Sequence, residues 1–133
     1  MIIKKQTVAE VVKEASTKMS DPNYSAVMVG GFVQEQPQVA QYIGAHVEEV
    51  GGAEGVAGVV FHAALISLCF KRGYGRSVKA IAFDELDHVS EGDSSEKLKT
   101  SQPFVFEFLE QNVETPAART VLALIALAMD WVS

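Results

Sequence analysis

The sequence predicts an all-α fold, a compact bundle of five to seven helices, and three observations predict it. Apolar residues recur at helical spacing along most of the chain. Prolines and capping side chains stand where helices would begin. Strand patterning is nearly absent: Val78 to Phe83 could be extended, but a single strand has no partner.

Each element follows from its start signal and its stripe. Thr7 with Glu10 fits a capping box for a first helix from about Val8 to Met19, with Val8, Val11, Val12 and Ala15 on one face. Asp21-Pro22 opens a second helix that reaches about Gln34, with a weak point at Gly30-Gly31. Gln36-Pro37 opens a third, whose stripe is Val39, Ile43, Val47 and Val50, stopped by Gly51-Gly52. A fourth runs from Ala53 to about Arg72 and ends at Gly73. A short fifth covers Asp84 to Val89, and the polar stretch Ser90 to Ser101 holds at most another turn or two. The last two are Pro103 to Val113 and Pro116 to Val132, the latter capped by Thr115.

Two stretches resemble each other. Gln36-Pro37 meets Gln102-Pro103 at an offset of 66. At that offset Val39 meets Val105, Tyr42 meets Phe108, Ile43 meets Leu109 and Val47 meets Val113. With one residue dropped, Val56 meets Val121, Gly58 meets Ala123, Val60 meets Ile125 and Ala63 meets Ala128. The expectation is an internal duplication of a helical hairpin with a pseudo-two-fold axis, its halves at about 1–75 and 76–133 of one domain. The fourth and last helices are apolar on nearly every side, so they should pack together at the centre. Gly58 is expected to permit the close approach.

Composition bounds the function. A chain of 133 residues with 48% hydrophobic and 21% charged residues can bury a core without staples. Its mean hydropathy of +0.15 is high for so small a domain, which points either to an unusually well-supplied core or to apolar surface buried against a second copy. The net charge of −6 lacks the basic surface that nucleic acids and anionic membranes attract. One cysteine, Cys69, gives no disulfide framework and fits the reducing cytoplasm. The first residues lack the apolar stretch of a signal peptide, and the runs Val56 to Phe70 and Val121 to Met129 are short for a membrane span. The expected location is cytoplasmic.

Few residues point to chemistry. His62 lies in the most apolar helix, where its N–H needs a backbone carbonyl or a hydroxyl, or else faces a ligand pocket with Trp131. Arg72, Tyr74, Arg76 and Lys79 form a stretch free of acids that could hold an anion, although cations also suit a helix end. Acids from Asp84 to Glu96 follow and could neutralise it within the fold or across a dimer. Glu85 and His88 have the Glu-x-x-His spacing of helical metal sites, but no second pair completes one. Cys69 and His62 are two turns apart, too far for a thiolate–imidazolium pair. No hydrolase elbow or phosphate loop occurs. Phe104 and Phe108 share a face of their helix, while Phe106 points elsewhere.

The leading expectation is therefore a non-catalytic protein–protein interaction or adaptor domain, homodimeric and without a cofactor. The alternatives are a small-ligand binding or sensing domain with a pocket between the central helices, and a helical-bundle metalloenzyme using Glu85 and His88.

Overall fold

The computed structural model describes residues 1–133 and contains helices without strands: α1 (Lys5–Lys18), α2 (Tyr24–Glu35), α3 (Pro37–Ala45), α4 (Gly52–Tyr74), α5 (Phe83–Val89), α6 (Ser94–Ser101), α7 (Pro103–Asn112) and α8 (Pro116–Val132). These eight exceed the expected five to seven because the polar stretch closes into α6. Asp93 supplies the reason: its carboxylate accepts the Glu96 N–H at 3.2 Å, and Leu98 anchors the helix in the core.

Pro37, Pro103 and Pro116 begin their helices, as their fixed φ favours. Thr115 accepts the Ala118 N–H at 3.3 Å. Pro22 does not begin a helix. The Asp21 carboxylate instead accepts the Asn23 N–H at 2.9 Å, which holds a turn before α2. The Thr7–Glu10 box does not form either, because α1 begins at Lys5 and Thr7 lies inside it. α3 stops at Ala45, and residues 46–51 turn into α4. α4 continues through Gly73 and is closed by Gly75, whose φ of 73° suits glycine and whose N–H reaches the Lys71 carbonyl at 2.9 Å. Residues 78–82 are irregular rather than a strand.

The apolar side chains form one contiguous core. α8 is its axis: every residue from Val121 to Met129 is buried. α4 lies against α8, as expected of the two most apolar helices. The expectation that α4 is enclosed all round fails, since only 44% of its most apolar window is buried. α4 is long and apolar enough to cross a membrane by length and composition alone, so the run Val56 to Phe70 understates it. In this fold it packs on α1, α2, α3 and α8. The expectation for Gly58 also fails, because nothing stands where its Cβ would be. Gly55 is the crowded position: a Cβ there would overlap the Val50 carbonyl oxygen.

The pairings occur twice. α1, α2 and α3 each pack on α4, while α5, α6 and α7 each pack on α8. α2 meets α3 as α6 meets α7. The two sets also cross, with α1 against α7 and α3 against α5.

Candidate functional site

Only two polar side chains are fully buried, Gln36 and Gln102, and both stand at a helix–proline junction. Glutamine is a poor helix cap, and neither residue caps the helix that follows. Their backbones match, with φ,ψ of −130°, 64° at Gln36 and −140°, 73° at Gln102. This bend before the proline leads each side chain into the core, where every polar atom needs a partner.

The partners are backbone groups of distant extended segments. Gln36 accepts the Ile81 N–H at 2.8 Å and donates to the Lys79 carbonyl at 2.8 Å. Gln102 accepts the Ile3 N–H at 2.9 Å and donates to the Met1 carbonyl at 2.7 Å. Each glutamine thus binds residues n and n+2 of an extended segment, as a neighbouring strand would. Ile3 and Ile81 are buried beside these bonds, and each lies two residues before a helix, α1 or α5. At the second junction the Gln102 amide also donates to Asp130 at 2.9 Å. The Tyr74 hydroxyl donates to the same carboxylate at 2.9 Å. Burial, followed by the Asp130 bond and charge, pushes the Tyr74 hydroxyl up to about 12. Gln-Pro was visible in the sequence as a repeat marker, but the role of its glutamine was not. The available signal was a glutamine standing twice where a short capping side chain would be preferred.

The residues expected to carry chemistry are mostly engaged or apart. His62 is half-buried, and its Nδ1 lies 2.8 Å from the Gly58 carbonyl, the backbone partner anticipated for it. It borders an open groove with Val50, Gly58, Val113, Ala118 and Leu122. Trp131 does not join it. The indole is 60% exposed and packs on His88 with ring centroids 4.3 Å apart. Leu122 and Trp131 are separated by about 13 Å along α8. The structure therefore does not form the single pocket expected of the two.

The basic stretch is dispersed. Arg72 reaches Glu14 of α1 at 2.6 Å, and its hydrogen bond, joined by that from Lys18, holds the Glu14 carboxyl below its usual range. Tyr74 points to Asp130, and the Arg76 guanidinium lies 6.0 Å from the Tyr74 ring centroid. Lys79 contributes its carbonyl to Gln36. Within the chain Arg72 is thus paired with Glu14, and no acid from Asp84 to Glu96 forms a salt bridge with the basic stretch. Glu85 accepts the Ala82 N–H at 2.9 Å, which ties its carboxylate to the start of α5. His88 packs on Trp131 with the rings tilted by 35°, and no three of His, Cys, Asp and Glu gather closely enough to share a metal ion. Cys69 is buried, and burial pushes its thiol up to about 12, which suppresses the nucleophilic thiolate.

The remaining feature is apolar surface. Val27 is 69% exposed on α2, and an open groove beside it is lined by Gly31, Phe32, Ala64 and Leu68. Val33 is exposed on α2 as well, six residues from Val27 and so on another side of the helix, while Phe83 begins α5 and Val47 lies in a turn. No protein-family model, curated protein or solved structure matches the chain.

Proposed function

We propose that the chain is a non-catalytic cytoplasmic interaction domain that associates with a second copy of itself, on a frame of two similar four-helix units. The observation that carries this reading is the open apolar groove on α2 and α4, in a molecule where Gln36, Gln102, His62 and Glu85 are tied to its own backbone. A surface of this kind gains stability when a partner covers it.

The duplicated frame is supported by the twin glutamine junctions and by the pairings that occur twice. Each glutamine binds the leading segment of the opposite unit, so the two units, about 1–75 and 76–133, hold each other. Sedimentation across a wide concentration range tests the self-association. A dimer that dissociates on dilution is expected, and a monomer at every concentration removes this reading.

A second reading, small-ligand binding, rests on the groove beside His62. If His62 serves only the fold, His62→Leu should keep or raise stability in thermal unfolding. A loss of binding to a fragment-library hit, with the fold kept, would favour the pocket.

A further inference from the structure

A cleft of about 540 Å³ opens between the end of α3, the loop from α5 to α6, and α8. It is larger than the grooves beside Val27 and His62, at about 170 and 360 Å³, and of a size that takes a small organic molecule. Tyr42 lines it from α3, and His46 and Glu49 from the turn that follows. Asp93 lines it from the loop, and Val121 and Leu124 give it an apolar wall on α8.

A second cleft shows what is particular about the first. At the offset of 66, Phe108 and Asn112 stand where Tyr42 and His46 do, and they line a cleft against α1. The local geometry recurs: His46 Nδ1 lies 2.9 Å from the Tyr42 carbonyl, and the Asn112 amide donates to the Phe108 carbonyl at 2.9 Å. The charges do not recur. Lys5 and Lys13 line the cleft at α1 together with Glu107, whereas no lysine or arginine lines the cleft at Tyr42. Lys97 comes near its loop, but the ammonium is held by the carbonyls of Val89 and Glu91 at 2.7 and 2.6 Å. Glu49 and Asp93 form no salt bridge within the chain. Asp93 offsets the positive end of α6, with one oxygen on the Glu96 N–H, so Glu49 is the freer charge. Burial, then the charges of Glu49 and Asp87, holds the Tyr42 hydroxyl above its usual range, which keeps it neutral.

We propose that this cleft binds a small organic cation, an ammonium carried on an apolar body, with its charge beside Glu49 and the Tyr42 ring and its body against Val121 and Leu124. The carboxylates oppose an anion. A metal ion needs short, converging ligands, and no three of His, Cys, Asp and Glu gather closely enough to supply them. An ammonium is held by charge and by the face of a ring, which need no such convergence. The apolar wall is covered only if the cation brings an apolar body with it.

The test uses benzylamine, with benzyl alcohol and benzoate as its neutral and anionic counterparts, followed by two-dimensional amide NMR of the intact chain. Benzylamine should shift the signals of residues 42–49 and 90–94 and saturate at about millimolar concentration, while the two counterparts should leave them in place. Glu49→Gln should weaken benzylamine about two- to fivefold, the worth of an exposed ion pair. Asp93→Asn keeps the helix cap and should weaken it less. Tyr42→Phe keeps the ring face and should bind as the wild type does, whereas Tyr42→Leu should bind about twofold or more weakly. Glu107→Gln, in the second cleft, should change nothing. The site is overturned by the absence of a saturable shift, by equal binding of benzyl alcohol or benzoate, or by equal effects of Glu49→Gln and Glu107→Gln.

Discussion

At the first junction Gln36 holds Lys79 and Ile81 with two hydrogen bonds, and Gln38 accepts the Phe83 N–H of the same segment at 2.8 Å. At the second, Gln102 makes the same two bonds to Met1 and Ile3 and adds a third to Asp130, which Tyr74 also engages. The helices leading into the junctions differ as well, apolar α2 before Gln36 and polar α6 before Gln102. A shared frame therefore carries two unlike surroundings. The shared part concerns folding, since it satisfies buried backbone groups. On the proposed duplication, the unlike parts are where one unit can be given a role that the other lacks, and α2 is the more open surface of the two.

The largest expected effect breaks the junctions one at a time. Gln102→Leu leaves the buried Ile3 N–H unpaired and takes a donor from Asp130, at a cost of about 3–5 kcal/mol. Gln36→Leu leaves only the Lys79–Ile81 pair unmet, and the exposed Lys79 lets water reach part of it, so about 2–3 kcal/mol is expected. Urea unfolding at unchanged m-value measures both. Equal losses, or a larger one at Gln36, would mean that the Asp130 branch adds nothing.

The next effect concerns the last turns of α4, where Cys69 is buried. Burial raises the Cys69 thiol from 9.0 to about 12. The folded state therefore holds this proton more firmly than the unfolded chain. That contribution is complete below pH 9.0 and is lost as pH climbs toward about 12, where the folded thiol titrates. Stability measured by urea should fall across this alkaline window, and Cys69→Ala should flatten the fall. Parallel pH curves for the two proteins would contradict a buried thiol.

Smaller and opposite effects separate Gly55 from Gly58. Gly55→Ala forces a Cβ into the Val50 carbonyl and should cost about 1–3 kcal/mol. Gly58→Ala meets nothing and supplies the alanine that α8 already has at Ala123, so it should add about 0.5–1 kcal/mol. Thermal unfolding that moved in the same direction for both would break this contrast.

These cases show what local sequence could convey. Start signals were readable because proline geometry and a threonine cap act within a few residues, as at Pro37, Pro103 and Thr115. The all-apolar run from Val121 to Met129 declared a central helix. Pro22 misled because Asp21 closes a turn ahead of the helix instead of capping it. Gly58 misled for a different reason: spacing along α4 does not say that the Val50 carbonyl returns onto Gly55. The glutamine bonds lie at separations of 45 and 99 residues between Gln36 and Ile81 and between Gln102 and Ile3, beyond any local pattern. Of the expected site residues, His62 found its backbone partner, while Arg72 found an acid from another helix that no linear spacing could indicate.

A further small effect isolates the branch that distinguishes the second junction. Tyr74→Phe removes the hydroxyl bonded to Asp130 and leaves the ring stacked on Phe70, with centroids 6.0 Å apart. About 1 kcal/mol should be lost at neutral pH. The same change should act on the alkaline limb, because the hydroxyl rises from 10.0 to about 12 through burial and Asp130. A raised phenol favours the folded state below pH 10.0 and loses that advantage as pH approaches about 12. The variant should therefore lose less stability over that interval than the wild type. If it titrates like the wild type and loses nothing at neutral pH, Tyr74 acts by packing alone, and Asp130 belongs to Gln102 only.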